Sequence, residues 1–364
     1  MPDRYEEFRR LAGTLGVDAV ALVPGANFTR LLRKTFYTNE RPLVVVVPRH
    51  GAPAAVVPNL ELRSFDLIGF EGEVFDWYDQ RGYRDAFSAL ARHMPIESLA
   101  VEGQVMRVFV HHALLEANPK LKIVDAETAI SALRLRKTDQ EIATLEQAIR
   151  ISEQALAEVL TRVGVGQAEK EVEAALTLAL FAHGAEEHAF APIVAAGDNS
   201  ARPHASARKD YKIKPGDALL FDFGARWDGF AADITRTVFV GHVSAEAEQV
   251  YQIVHDANRV GRTVACPGMS AHDVDDAVIS VLEASPFADR IRSKTGHGLG
   301  REVHEAPYIM RGNHQKLEAG MVFTDEPGLY RIGGFGVRIE DDVLVTESGC
   351  RSLTTFTREL TVVG

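Results

Sequence analysis

The residues in this chain best suited to chemistry are five possible metal ligands: Asp222, Asp233, His297, Glu326 and Glu340. Each lies in a short motif of its own. The motifs read FDFGARWDGFAADITRT, TGHGLGREVHEAP, FTDEPGLY and GVRIEDD. Four carboxylates and one imidazole make a donor set for a pair of hard or borderline divalent cations. Such a pair can share a hydroxide and direct it at a carbonyl carbon, which points to a two-metal hydrolase.

The spacing supports a common site. Asp228-Gly229 is a strong two-residue hairpin signal, so Trp227 should pair with Phe230. Asp222 then falls opposite Thr235 and Asp233 opposite Gly224, on one sheet face as diagonal neighbours ~7 Å apart. Leu219-Leu220-Phe221-Asp222-Phe223 reads as a buried strand, where a carboxylate needs a partner to offset its desolvation. Val322–Glu326 reads as a second buried strand, stopped by Pro327-Gly328. Gly333-Gly334 can reverse the chain, and Val337–Glu340 returns with Arg338 and Glu340 on one face. Arg338 then either faces substrate or steadies the carboxylates, although an Arg–Glu pair is also an ordinary structural feature. His297 is flanked by Gly296 and Gly298, which let backbone pack closely beneath the ring. Taken one at a time, His297, His304 and His204 are no more than hydrogen-bonded histidines.

Positioning these residues requires a sizeable scaffold. With 364 residues, two domains are expected, with boundaries at 1–130 and 131–364. The first reads as a small α/β domain. Its apolar strand-like runs are Ala19–Val23, Leu43–Val47, Ala54–Val57 and Leu99–Val101, and its helical patterns are Tyr5–Leu15, Asp85–His93 and Arg107–Ala117. Pro48 and Pro53 bracket a turn, and no glycine-rich loop marks a dinucleotide site. The second domain opens on a capping box, Thr138 with Glu141, followed by apolar residues at helical spacing. It also repeats itself. The stretch from Gly166 to Glu173 matches that from Gly268 to Asp275, and a similar shift carries Asp222 onto Glu326. Two related halves facing each other would each contribute a carboxylate-bearing hairpin.

The bulk numbers exclude several classes. A net charge of −11 argues against a nucleic-acid partner. No apolar run is long enough for a membrane span, and the opening Met1–Glu7 is too charged for a secretory leader. Two cysteines, Cys266 and Cys350, make no disulfide framework, so a cytoplasmic protein is expected.

Taken together, the motifs resemble the pita-bread metallopeptidases, in particular their proline-specific branch of prolidases and aminopeptidases P. The likeness runs from about residue 136 to 364, and residues before it resemble a creatinase-type N-terminal domain. The resemblance implies an α+β pita-bread domain with an internal pseudo-twofold repeat and two divalent metal ions, manganese first and zinc or cobalt otherwise. By position it implies that Asp222 chelates one ion, that Asp233 and Glu340 bridge both, and that His297 and Glu326 complete the second. It further implies Glu326 as proton shuttle, His304 as stabiliser of the tetrahedral intermediate, His204 near the scissile bond, and Arg338 as the arginine of the proline-specific branch.

The expected activity is hydrolysis of the bond before proline by a prolidase (Xaa-Pro dipeptidase) using a metal-bridging hydroxide. An aminopeptidase P acting on longer peptides is the alternative. Methionine aminopeptidases share the ligands but do not explain the N-terminal domain, and creatinase-type enzymes lack this ligand set. A non-catalytic pita-bread peptide-binding module would have lost ligands. A dipeptide requires a cation for its carboxylate, with Arg338, Arg202 and Arg311 as candidates. Asn27-Phe28-Thr29-Arg30 departs from the family's usual tyrosine- and glycine-bearing stretch. A homodimer is expected by analogy.

Overall fold

The computed structural model describes residues 4–364; Met1, Pro2 and Asp3 of the charged opening segment lie outside the described residues. The chain separates into two compact units, one ending at Arg134 and the other spanning Leu135–Gly364.

The first unit is a three-layer α/β domain. Its strands are β1 (Ala19–Leu22), β2 (Val44–Pro48), β3 (Ala54–Pro58), β4 (Glu73–Trp77), β5 (Ser98–Val101) and β6 (Lys122–Asp125). They form one mixed sheet in the order β4-β3-β2-β1-β5-β6. Side-chain alternation sorts the strand residues into two cores. Val20, Leu22, Val45 and Val47 pack with Tyr5 and Phe8 on one face. Ala19, Ala21, Val44 and Val46 pack with Phe87 and Leu90 on the other. The helices are α1 (Glu6–Leu15), α2 (Ala26–Leu32), α3 (Asn59–Asp66), α4 (Arg84–His93), α5 (Val108–Ala117) and α6 (Glu127–Ser131). The two edge strands, β4 and β6, have no counterpart among the apolar runs. Each keeps much of one face toward solvent, so neither needs a hydrophobic sequence.

The second unit has the pita-bread architecture, an α+β fold built from two similar halves. The first half contains α7 (Asp139–Leu160), α8 (Glu169–Ala182), β7 (Glu187–His188), β8 (Ile193–Ala196), β9 (Ala218–Phe223), β10 (Ala225–Trp227), β11 (Phe230–Ala231) and β12 (Ile234–Val240). The second contains α9 (Ala245–Val264), α10 (Ala271–Glu283), β13 (Gly296–Gly298), β14 (Glu305–Ile309), β15 (Val322–Asp325), β16 (Gly328–Tyr330), β17 (Gly336–Arg338), β18 (Asp341–Val345), β19 (Cys350–Ser352) and β20 (Val362–Val363). The capping box starts α7: the Thr138 hydroxyl accepts from Glu141 N–H at 3.3 Å, and Thr138 N–H donates back to the Glu141 carboxylate at 3.1 Å.

The internal repeat is visible in the backbone. Gly166 N–H bonds Ile213 O, and Gly268 N–H bonds Leu317 O. Ile213 N–H bonds Gln167 O, and Leu317 N–H bonds Met269 O. Equivalent bridges join Ala168 to Lys212 and Ser270 to Lys316. The same short ladder therefore precedes α8 and α10. Each half then supplies a sheet, β12-β9-β8 in the first, with β20 of the second added at its edge, and β14-β13-β15-β18-β19 in the second. The two are stitched between β12 and the β17–β18 segment: Glu340 N–H donates to Thr235 O at 3.0 Å, and Thr237 Oγ1 donates to Arg338 O at 3.0 Å. Among the described residues no helix is long and apolar enough to cross a membrane.

Candidate metal centre

Strand ends from both halves converge on the site. Asp222 lies in β9 between Phe221 and Phe223, whose rings enter the core on the opposite face. β9 pairs with β12 so that Asp222 faces Thr235, and Trp227 pairs with Phe230 around the Asp228-Gly229 turn. Asp233 sits just before β12, its N–H donating to Asp342 Oδ2 at 3.3 Å. His297 is the middle residue of β13, which runs between β14 and β15. Its flanking glycines are required by space: a Cβ on Gly296 would strike Thr324 O, and one on Gly298 would strike Ala306 O. Glu326 follows β15, with its N–H held by Thr295 O at 2.7 Å. Glu340 stands between β17 and β18.

The side chains meet as their spacing suggested. Ligand atoms of Asp222, Asp233 and Glu340 all lie within 4.8 Å of one another, and so do those of His297, Glu326 and Glu340. His297 Nε2 is 3.4 Å from Glu326 Oε1 and 3.7 Å from Asp233 Oδ2. Asp222, Asp233, His297 and Glu340 are all buried. Burial, reinforced by the negative fields of Glu340 and Asp222, pushes the Asp233 carboxyl well above the usual range. Glu340 is raised in the same way by burial, Glu326 and Asp222. Glu326 is pushed up to about 7, chiefly by burial, against the attraction of Arg338. Burial, with the field of His304, pushes His297 down to about 3, so its ring is neutral.

A second layer holds these groups. The His297 Nδ1–H lies 3.1 Å from the Gly298 carbonyl, which assigns the tautomer and leaves the Nε2 lone pair facing the carboxylates. Thr235 Oγ1 donates to Glu340 Oε2 at 2.5 Å and accepts from Arg338 Nε at 3.1 Å. Arg338 also donates to Tyr330 Oη at 2.9 Å and to Asp222 Oδ2. Arg338 is therefore buried among the candidate ligands with its fork engaged, and Tyr330, Asp222 and Glu340 keep it charged against the cost of burial. Behind Glu340, Asp341 takes Arg236 at 2.8 Å and Arg358 at 2.7 Å. Burial alone would raise Asp341, but those two guanidiniums together hold it below its ordinary value. The supporting roles of Thr235, Tyr330, Arg236 and Asp341 were not evident from the sequence, because a hydroxyl or a second-layer ion pair has no motif of its own.

The remaining candidates lie at the rim. The His304 ring packs edge-on against His297, with centroids 4.1 Å apart. Its pKa is lowered, mainly by burial and then by the charges of Lys294 and His204. His204 is exposed, on the segment after Ala201. Arg202 is exposed near Asp198. Arg311 lies away from the ligands, tied to Asp276 at 2.9 Å and to Glu283 at 2.6 and 2.9 Å.

Divalent cations fit this donor set. Four carboxylates face one another with a single guanidinium among them. Asp222 Oδ1 is buried without a hydrogen-bond partner. The neutral His297 aims a lone pair at carboxylate oxygens, an arrangement that is repulsive until a cation or a proton lies between them.

The family comparison agrees. Residues 143–347 match the model for metallopeptidase family M24, and residues 4–136 match the creatinase/prolidase N-terminal domain. The chain belongs to metallopeptidase family M24. This M24 chain is 36% identical over 264 residues to an Xaa-Pro dipeptidase of Pyrococcus furiosus, covering 72% of this chain and 75% of that one. A recombinant prolidase from Thermococcus sibiricus superposes with a TM-score of 0.94 at 34% identity, over 99% of this chain and 98% of that one. An X-Pro aminopeptidase from Thermotoga maritima superposes at 0.87 with 30% identity, over 99% and 100%. Metal-dependent peptide hydrolysis is thus the chemistry that the M24 fold brings to these residues.

Proposed function

We propose that this chain is a dinuclear-metal Xaa-Pro dipeptidase. The observation that carries the reading is the pair of overlapping donor sets, Asp222-Asp233-Glu340 and His297-Glu326-Glu340. Asp222, Asp233 and Glu340 would hold one ion and His297, Glu326 and Glu340 the other, with Glu340 common to both sets and Asp233 also beside His297. When bound, two divalent ions would acidify a water and polarise the scissile carbonyl.

The residues of the chain do the rest. Glu326, the partly exposed carboxylate of the set, would take a proton from the attacking water and return it to the leaving proline nitrogen. His304, neutral beside His297, can donate to the oxygen that becomes negative. His204 would hold the substrate near the scissile bond. Arg338 steadies Asp222 through a buried contact. An Xaa-Pro amide has no N–H, so recognition of this bond cannot use a strand-like contact there.

Oxygen donors dominate the set, which favours manganese, with zinc or cobalt as substitutes. The two free cysteines support a reducing, cytoplasmic setting. A homodimer follows from family analogy, and a monomer mass in light scattering would refute it. The likeness to the Thermotoga X-Pro aminopeptidase keeps longer peptides as the second reading. The deciding measurement is turnover of Ala-Pro beside Ala-Pro-Ala on manganese-loaded protein. Faster cleavage of Ala-Pro is expected. The reverse order makes it an aminopeptidase P, and no cleavage of either with two metals bound removes the peptidase reading.

A further inference from the structure

A dipeptide presents its carboxylate only a few bonds beyond the scissile carbonyl, so the cation that recognises it must stand close to Glu326 and His304. Arg338 does not offer a free edge: Thr235, Tyr330 and Asp222 occupy it in the interior. Arg311 is held by Asp276 and Glu283. That leaves Arg202 and a residue that motif reading passed over, Lys294.

Lys294 lies just ahead of β13, and its neighbour Thr295 holds the backbone N–H of Glu326 at 2.7 Å. Strand pairing places Gly296 opposite Ile309, so Lys294, two residues before Gly296, lies at the end of the β13–β14 ladder, near Tyr308 on β14. The Lys294 ammonium stands 5.8 Å from the Tyr308 ring centroid, and the ring is 39% exposed. Lys294 is half-buried, and among the described residues no hydrogen bond or ion pair engages its ammonium. Lys294 stands three residues before His297 and beside the residue that holds Glu326, so it lies next to the site. A cation resting on an aromatic face exchanges that weak hold for a charge-assisted bond when a carboxylate arrives. The flexible four-carbon stem gives it the reach.

We propose that Lys294 binds the C-terminal carboxylate of the dipeptide substrate and so determines the preference for dipeptides. This deepens the Xaa-Pro dipeptidase reading and rests on it. The test is steady-state kinetics on the metal-loaded full-length chain with Ala-Pro and its neutral analogue Ala-Pro-amide, with metal content measured on every preparation. For Lys294→Met, the ratio of kcat/KM for Ala-Pro to that for the amide should fall about 10- to 100-fold, mostly through KM. Lys294→Arg should recover most of that ratio. An equal loss on both substrates, or a ratio that moves only in Arg202→Met, overturns the role of Lys294 and leaves the peptidase reading intact. A wild-type chain that holds two metals and cleaves neither substrate overturns both.

Discussion

Among the proposed ligands, Asp233 is the one whose loss should matter most. It belongs to the donor set with Asp222 and Glu340, and it also faces His297 at 3.7 Å. Asp233→Ala should therefore abolish turnover and remove at least one metal per chain, as read by elemental analysis. Full activity with both metals retained would refute the ligand assignment. Thr235 tests the layer behind. Its hydroxyl links Glu340 to Arg338, and Thr235→Val keeps the shape while removing both bonds. Metal affinity or kcat should drop about 10- to 100-fold, with little change in melting temperature. An unchanged metal titration together with an unchanged kcat would reduce Thr235 to a packing residue. The proposed ligands were legible in the sequence because each carboxylate interrupts an apolar run or precedes a turn. Thr235, Tyr330 and Lys294 were not, since a threonine in a strand, a buried tyrosine and a lysine before a glycine-rich turn are ordinary until the fold brings them together.

The strands supply precision through close backbone contacts. β13 is short, and it holds His297 between two neighbouring strands because Gly296 and Gly298 carry no side chains. Gly296→Ala would drive a Cβ against the Thr324 carbonyl, and Thr324 Oγ1 also accepts from His297 N–H at 3.1 Å. The expected cost is about 1–3 kcal/mol of stability, with loss of activity beyond what the remaining folded fraction explains. Denaturant unfolding alongside specific activity checks both, and wild-type stability and turnover would show that the strand has room. At this scale the sequence revealed central strands better than edges. β1, β2, β3 and β5 are buried and announce themselves as apolar runs, whereas β4 and β6 carry polar residues that face solvent. The hairpin register around Asp222 was legible because Asp228-Gly229 fixes the turn, and with it every pairing along β9 and β12.

The catalytic unit as a whole is arranged around a charge that it does not itself neutralise. Two halves of similar topology meet where β12 contacts the β17–β18 segment, and Arg236 ties that seam by donating to Glu340 O at 2.6 Å and to Asp341 at 2.8 Å. The seam holds four carboxylates in place although their mutual repulsion favours protonation. Asp233 and Glu340 are raised well above the ordinary range, and Glu326 to about 7. An unfolded chain would have all three ionised at neutral pH. The metal-free fold therefore binds more protons than the unfolded chain from the ordinary carboxylate range up to the raised values, and its stability falls as pH rises through that interval. Metal binding displaces those protons, so apparent affinity must tighten as pH rises. Calorimetric titration with manganese, in two buffers of different ionisation enthalpy, should detect at least one proton released per chain at pH 6.5. The melting-temperature gap between metal-loaded and metal-free protein should widen from pH 5.5 to 7.5. A gap that stays flat, with no proton released, would mean that the carboxylates are already ionised without metal, and that the seam compensates their charge by some route other than the cations proposed here.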